Sequence, residues 1–218
     1  PFDTTVEIRE NEIRMLVDIE NGQKTGYFLD QRENRAALKP FVKDARVLDT
    51  FSHTGGFALH AAYYGAREVT AVDISEHAIE YLKRNADING LQKKINGVTG
   101  NVFDVLKEYQ TLNEKFDVVI LDPPAFCKTK SALAGAYRGY KDINLRAMKI
   151  LNPGGFLVTC SCSHYMYPGL FMEMIQDAAM DAGKIVRQVE FRTQAKDHPV
   201  LYGSNESMYL KCIILQVI

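Results

Sequence analysis

Apolar and polar positions alternate with a period of two over residues 6–27, a pattern that predicts antiparallel strands. The apolar positions of this stretch include Ile13, Met15, Val17 and Ile19. Turn residues occur at Glu10-Asn11 and at Asn21-Gly22, and the second pair is a common hairpin signal. We therefore predict a β-hairpin region over residues 1–29.

From residue 30 onward, segments with a helical pattern alternate with short apolar strands. Helices are predicted over 31–42, 57–64, 76–89, 102–109, 141–151 and 170–182. Strands are predicted over 46–50, 68–73, 95–99, 116–122 and 155–159, with two more over 185–191 and 208–217. This order is typical of an α/β fold with a mostly parallel sheet and helices on both faces. No linker divides residues 30–218, so they are predicted to form one domain.

Composition and charge exclude some classes of protein. The 218 residues carry a formal net charge of −1, so no global basic field indicates nucleic acid, although averaging would hide a local basic patch. The apolar runs are too short to span a bilayer and no signal peptide opens the chain, so we expect a cytoplasmic protein without membrane contact. Because the chain begins at Pro1, we expect it to be part of a longer protein.

Cysteine and histidine spacing does not predict a metal site. The four cysteines form no Cys-x-x-Cys pair, and without a secretory signal they are expected to be reduced. The five histidines show no metal-ligand spacing, so no metal is assigned.

The loop after the first predicted parallel strand combines an acid with paired glycines. It reads Val47-Leu-Asp-Thr-Phe-Ser-His-Thr-Gly-Gly-Phe57, and glycines allow backbone to approach a ligand closely. The loop is not Gly-x-Gly-x-x-Gly and has no P-loop lysine, so a pyrophosphate is not the expected ligand. In open α/β sheets, ligands bind at such carboxyl ends of strands.

The next two strand ends also carry polar side chains. Asp73 is suited to accept hydrogen bonds from ribose hydroxyls. The Asn101 oxygen can accept from an adenine amino group, and Val102 or Phe103 can pack on the base. Each of these polar residues could instead only cap the helix or turn that follows it.

The fourth strand end reads Asp122-Pro-Pro-Ala-Phe126, in which two prolines stiffen the turn after an acid. This combination predicts a rigid turn that presents one acid to a ligand.

This ordered set of strand ends resembles the class I S-adenosylmethionine-dependent methyltransferases, which have a Rossmann-like fold. Further motifs are similar to the bacterial 23S ribosomal RNA large-subunit cytosine-5 methyltransferase I family. They are Gly26-Tyr-Phe-Leu-Asp-Gln-Arg-Glu-Asn-Arg35, Gly139-Tyr-Lys-Asp-Ile-Asn144, Ser161-Cys-Ser163, Asp197-His-Pro199 and Tyr209-Leu-Lys211. That family carries a PUA-type RNA-binding domain before its hairpin and catalytic domain, and no such domain is present in this sequence.

The resemblance implies a seven-stranded sheet with an antiparallel last strand, S-adenosylmethionine as cofactor and 23S rRNA as substrate. A homodimer is a possible oligomeric state. The resemblance also implies that the segment 49–56 holds the methionine portion, through Asp49, Phe51, Ser52, Thr54, Gly55 and Gly56. The ribose is assigned to Asp73 and Ile74, and the adenine to Asn101 and Val102. Gln31 and Arg35 are placed near the cofactor, where Arg35 pairs with its carboxylate or remains a solvated helix charge.

Cys162 is the predicted nucleophile by the same resemblance, in the triplet Ser161-Cys-Ser163. Attack of its thiolate on C6 of cytosine makes C5 nucleophilic toward a sulfonium methyl group, and Asp122 is placed to assist at N3. A period of two places Cys160 on the same strand face as Cys162, but Cys160 is expected to be a packing residue. Cys127 is interpreted as a bystander, and the base that removes the C5 proton is unassigned. Cys162 itself could instead be a buried structural thiol.

A basic cluster with interleaved tyrosines after residue 127 is a candidate RNA contact, through phosphate contacts and base stacking, or an ordinary exposed loop. It comprises Lys128, Lys130, Arg138 and Lys141, with Tyr137 and Tyr140 interleaved.

Three alternatives to cytosine-5 methylation remain open. One is a guanine or amino-group RNA methyltransferase, since a guanine-modifying sister group shares Asp-Pro-Pro-x-Phe but lacks the cysteine at this strand end. Methyltransferases that act on amino groups commonly have an aromatic residue directly after the second proline, and here Ala125 intervenes, which weakens the amino-group alternative. The second is a non-catalytic module that binds cofactor and RNA, and the third is a small-molecule methyltransferase. Cys162 separates the first alternative from the leading hypothesis.

Overall fold

The computed structural model describes residues 4–20, 22, 26–204 and 207–218. Its first two strands, β1 (Thr5–Glu10) and β2 (Ile13–Asp18), form an antiparallel hairpin in which Glu10 lies opposite Ile13. Residues 11 and 12 form the turn, one position later than predicted, and Asn11 adopts a left-handed φ of 53° that asparagine tolerates. Asn21, in the second predicted turn, lies outside the described residues.

The hairpin packs one face on helices α2 (Gly56–Tyr63) and α3 (Glu76–Ile88). Ile13, Met15 and Val17 are buried there with Leu59 and Ala86, as the period of two predicts. Ile19 is different, because β2 ends at Asp18 and the Ile19 side chain is mostly exposed.

The remaining strands form one twisted sheet whose central members are buried on both faces. They are β3 (Arg46–Thr50), β4 (Glu68–Asp73), β5 (Ile95–Thr99), β6 (Phe116–Leu121), β7 (Leu151–Ser161), β8 (Val186–Arg192) and β9 (Lys211–Val217). Their spatial order is β5-β4-β3-β6-β7-β9-β8, and β9 runs antiparallel to both of its neighbours. The predicted seven-stranded α/β sheet with an antiparallel last strand is therefore confirmed. Strand order reverses between β3 and β6, which is where such folds bind ligands.

Consecutive residues of the central strands pack on opposite sides of the sheet. Val118 and Ile120 of β6 pack with α2 and α3, whereas Val119 and Leu121 pack with the helices on the other face. Those helices are α4 (Val102–Thr111), α5 (Leu133–Ile150) and α6 (Pro168–Ala182). Apolar positions on both faces explain why β6 reads as a continuous hydrophobic run.

Two helix boundaries differ from the prediction. Helix α1 covers only Arg32–Ala36, and the predicted continuation to residue 42 consists of turns, since Pro40 disfavours helical geometry at Lys39. Helix α5 starts at Leu133 rather than at 141, because Gly135 and Gly139 lower helix propensity without preventing a packed helix. In the described part of the chain, helices are too short or too polar to cross a membrane.

Candidate active site

A cavity of about 550 Å³ lies at the carboxyl ends of the parallel strands, at the point where strand order reverses. Eleven of the fourteen side chains predicted for the site line it: Gln31, Arg35, Phe51, Ser52, Gly56, Asp73, Ile74, Asn101, Val102, Asp122 and Cys162. The other three lie behind the lining: Asp49 belongs to β3, and Thr54 and Gly55 belong to the turn that follows it. The wall also contains residues to which the sequence gave no role of their own, among them Phe28, Asp30 and Leu210.

The turn from β3 into α2 is tightly wound. Phe51 and His53 adopt left-handed φ values of 57° and 49°, and Gly55, which caps α2, has a φ of 93°. Non-glycine residues in this region are strained, and such strain is typical of functional sites. A Cβ atom on Gly56 would lie 2.8 Å from Nε of Arg35, so glycine is needed for the close approach of these two segments.

Asp49 is completely buried behind this turn. Neither carboxylate oxygen makes a hydrogen bond of normal geometry with the described residues, although the Ala58 backbone N–H is near enough to interact with the carboxylate. Burial raises the pKa of Asp49 well above its usual value, the Asp122 carboxylate adds to the shift, and the Ala58 backbone N–H opposes it. A buried acid without a partner indicates a ligand donor at this position.

Asp73 and Asn101 both accept backbone hydrogen bonds at the cavity wall. The N–H groups of His53 and Ser75 donate to the two Asp73 carboxylate oxygens at 2.8 and 2.9 Å. Asn101 caps α4, because its side-chain oxygen accepts from the Phe103 N–H at 2.9 Å. These hydrogen bonds fix both side chains. Asp73 and Asn101 therefore do cap the turn or helix that follows them, as the alternative interpretation stated. An oxygen has a second lone pair, so capping does not prevent a ligand hydrogen bond.

Arg35 is a buried ion-pair partner rather than a solvated charge, which corrects one alternative drawn from the sequence. Its guanidinium pairs with Glu10 from the hairpin, and it also donates to the hydroxyl of Tyr27 and the carbonyl oxygen of Phe28. Burial lowers the pKa of His60, which lies beside Glu10, to about 4. The ring is therefore neutral at pH 7, and Arg35 carries the charge that compensates Glu10. The sequence gave no signal that Glu10 would pair with Arg35, because an acid in a strand of alternating polarity is usually exposed.

A chain of side-chain hydrogen bonds positions Asp122 at the end of β6. Gln31 Nε2 donates to Asp122 Oδ1 at 2.8 Å, while Gln31 Oε1 accepts from Asn34 at 2.6 Å. Arg192 on β8 donates in turn to the Asn34 oxygen at 3.1 Å. Because the Asn34 bond fixes which end of the Gln31 amide faces Asp122, the carboxylate is presented to the cavity in a defined orientation.

Cys162 follows β7 directly and lines the same cavity as Asp122. Its Sγ lies 3.8 Å from the carbonyl oxygen of Pro123, and its side chain is partly exposed. Parallel pairing of β6 and β7, with Leu121 opposite Thr159, brings the two strand ends together. Cys162 is therefore not a fully buried structural thiol, because its side chain is partly exposed and lines the cavity.

The two serines beside Cys162 anchor the surrounding loops. The Ser161 hydroxyl donates to the Tyr140 hydroxyl at 3.1 Å, Tyr140 is 2.9 Å from the Ser163 oxygen, and Ser163 accepts from the Cys127 N–H at 3.1 Å. This network joins β7, α5 and the loop after Asp122. Tyr140 is completely buried in it, so the predicted stacking of Tyr140 on a base is wrong.

Lys211 is a buried cation next to Cys162 that the sequence analysis left without a role. Its ammonium group donates to the carbonyl oxygens of Ser163 and Tyr209 at 2.7 and 2.8 Å. Burial lowers the pKa of Lys211 to about 8, and the charge of a Cys162 thiolate opposes that shift. A lysine within a largely apolar strand was the available signal, although the sequence alone could not show which residue lies beside it.

The other cysteines are buried away from the cavity lining. Cys160 lies opposite Cys212 in the β7–β9 pair, consistent with packing, and the Cys127 thiol donates to the Thr129 carbonyl oxygen at 3.2 Å. Within the described ranges, no group of three or more His, Cys, Asp or Glu side chains is arranged to hold a metal ion.

The predicted basic cluster divides into two parts. Lys128 lines the active-site cavity, and Lys130 lines a second cleft beside it. Lys141 instead pairs with Asp181 on α6 at 2.8 Å, and the Tyr137 hydroxyl donates to Asp177 at 2.8 Å. The acids of α6 therefore neutralise part of the cluster.

These features define a methyltransferase, and comparison with known proteins agrees. Residues 1–203 match the family described as S-adenosylmethionine-dependent methyltransferase, so the chain belongs to that family and its cofactor is S-adenosylmethionine. The cavity suits this cofactor, because the orphaned Asp49 carboxylate lies behind a turn of glycines that admits close backbone approach.

The curated proteins that this chain resembles are ribosomal RNA methyltransferases. The chain is 50% identical over 205 residues to the ribosomal RNA large subunit methyltransferase I of Klebsiella pneumoniae, a match that covers 94% of this chain and 51% of that protein. The protein of the same name in Aeromonas salmonicida is 46% identical over 212 residues, covering 97% and 54%. The chain thus spans about half the length of the curated relatives it matches. The crystal structure of SMU.776 complexed with SAH has a TM-score of 0.89 at 25% identity, covering all of this chain and 57% of that one.

Proposed function

We propose that the chain is the catalytic part of an enzyme that methylates C5 of a cytosine in 23S rRNA through a covalent bond to Cys162. The observation that carries this proposal is that Cys162, Asp122 and the glycine turn line one cavity. The names of the relatives support ribosomal RNA as the substrate. A cytoplasmic location and a homodimer stay predictions, as does the division into a hairpin region of 1–29 and a methyltransferase domain of 30–218.

Cofactor binding is assigned to the strand ends. Asp49, behind the turn, would favour the cofactor's ammonium group, Asp73 the ribose hydroxyls and Asn101 the adenine amino group. Ile74 and Val102 provide apolar surface beside them. The bound cofactor supplies an electrophilic methyl carbon on a sulfonium, and the protein groups opposite it make the acceptor nucleophilic.

The chain activates cytosine by covalent catalysis. The Cys162 thiolate forms a bond to C6, and the C5–C6 π electrons move toward C5, which then accepts the methyl group. Asp122 lines the same cavity, and in its protonated form its carboxyl group donates a hydrogen bond to N3, where it stabilises the charge that develops on the ring. A base then takes the C5 proton, the C5–C6 double bond re-forms, and the bond to Cys162 breaks to regenerate the thiolate.

Lys211 supports the first step from behind the nucleophile. Its ammonium group is buried, and the two carbonyl oxygens it contacts fix it next to Cys162. A nearby cation favours a thiolate over a thiol, and only the thiolate attacks. We assign Lys211 as a positioning residue that acts through Cys162.

The proposal is tested by incubating the chain with unmodified 23S rRNA and labelled S-adenosylmethionine, followed by digestion and mass spectrometry of the nucleosides. The expected product is 5-methylcytidine. Cys162→Ser is expected to abolish transfer with unchanged cofactor affinity, whereas Cys127→Ser should retain transfer, because a hydroxyl can also donate to the Thr129 carbonyl oxygen.

Any other result of this experiment would favour one of the alternative functions or exclude the covalent mechanism. A methylated guanine or amino group would favour the sister enzymes, and full activity of Cys162→Ser would exclude the covalent mechanism. Cofactor binding with no transfer to RNA would favour a non-catalytic module.

A further inference from the structure

A second cleft of about 590 Å³ opens beside the active site. Its lining includes Lys130 and His164, each two residues beyond a residue of the first cavity, namely Lys128 and Cys162. Two residues of chain span at most roughly 7 Å, so the second cleft begins within that distance of the first along both segments. A ligand that occupies the active site can therefore extend into this cleft.

The surface of the second cleft is aromatic and carries a cation. Tyr165, Tyr167 and Tyr202 line it with exposed fractions of 37%, 58% and 98%. Among its described lining residues, none is Asp or Glu, and Lys130 supplies a positive charge. The Nδ1 atom of His164 is buried and has no hydrogen-bond partner within the described part of the chain. Exposed rings with a nearby cation and an unsatisfied ring nitrogen indicate a ligand with flat faces, polar edges and negative charge.

We infer that this cleft binds the nucleotide next to the target cytidine in single-stranded RNA, with its base on the tyrosine rings and its phosphate near Lys130. The inference rests on the proposed function, because it assumes an RNA substrate whose target base enters the first cavity. Extruding a base removes stacking from its neighbour, and protein rings that replace this stacking lower the cost of extrusion.

Charge and position favour RNA over a protein segment as the occupant. The cleft begins two residues along the chain from Lys128 and Cys162 of the site that takes the base, and among its described lining residues the charge of Lys130 is positive. Tyrosine rings also stack on any base, which allows the neighbour to be held without sequence readout.

The test measures binding of a fluorescent cytidine-centred RNA pentamer to the chain in the presence of SAH. Tyr167→Ala combined with Tyr202→Ala should weaken RNA binding about tenfold or more, because the base loses the rings on which it stacks. Phenylalanine at both positions should restore most of the affinity, because the ring provides the stacking. The matched control is Tyr63→Ala, which removes a half-exposed ring on α2 outside both cavities.

A second measurement uses RNA in which a nucleotide beside the cytidine is replaced by an abasic one. One of the two neighbouring positions should lose affinity in the parent chain, and the loss should not add to that of the double tyrosine variant. Unchanged RNA affinity in the tyrosine variants, or fully additive losses, would overturn the inference.

The two proposals fail in distinguishable ways. If the chain yields no 5-methylcytidine but RNA binding depends on the tyrosines, the proposed chemistry fails and the cleft stands. If 5-methylcytidine forms and the tyrosine variants bind RNA normally, the cleft inference fails alone.

Discussion

Glu10 of the hairpin and Arg35 beside the active site form an ion pair whose side chains are only 1% and 3% exposed. The pair joins an element that precedes the methyltransferase sheet to a residue that lines its cavity. Removing one partner of a buried pair leaves an uncompensated charge, which costs more than the pair itself stabilises. The hairpin is therefore a structural part of the site.

We expect Glu10→Ala to reduce the free energy of unfolding by about 3–5 kcal/mol, because Arg35 would remain charged and buried. Urea unfolding measures this change. Glu12→Ala is the control, since Glu12 lies two residues away and pairs with Arg9 in an exposed bridge. Similar small effects of both substitutions would show that the buried pair is not important for stability.

Gly56→Ala should weaken cofactor binding about tenfold, because the new Cβ would lie 2.8 Å from Nε of Arg35 and displace the guanidinium or the start of α2. Calorimetric titration with S-adenosylmethionine gives the affinity. In Gly135→Ala, by contrast, the added Cβ meets no atom within 4 Å in helix α5, so that variant should bind cofactor normally and gain helix stability. Equal cofactor affinities of the two variants would contradict the assigned close approach.

Lys211→Met should slow alkylation of Cys162 by iodoacetamide at about pH 7, because the ammonium charge that favours the thiolate is lost. The rate is measured by mass spectrometry of the Cys162 peptide, and alkylation of the urea-unfolded variant gives the reference rate. A merely structural role would lower stability without slowing this reaction, and an unchanged rate in a folded variant would exclude Lys211 as a positioning residue.

The pH dependence of stability should also reveal Lys211. Burial lowers its pKa to about 8 from an ordinary 10.5, so above pH 8 the unfolded chain retains a proton that the folded chain has released. Stability contributed by this group therefore rises with pH between about 8 and 10.5. Unfolding measured across this range should show the parent chain gaining stability relative to Lys211→Met. Parallel curves for the two proteins would refute the lowered pKa.

Much of the fold follows from local patterns. Alternating strands and helices predicted the sheet, and apolar positions predicted which residues are buried, since period and propensity act over a few residues. The errors occurred where tertiary packing outweighed propensity. Helix α5 includes Gly139, which lies against the ring of Phe126, where a Cβ would be 3.3 Å from the ring. Tyr140 became a buried anchor rather than a base-stacking ring.

The sequence by itself determined the α/β class, the residues at the strand ends and the resemblance to a methyltransferase family, because these depend on order along the chain. Only the tertiary structure decided which side chains meet. Glu10 with Arg35, Gln31 with Asp122, and Lys211 with the loop of Cys162 are separated by 25, 91 and about 50 positions. No short-range pattern encodes such pairs, because burial and strand order select a partner only after the chain has folded.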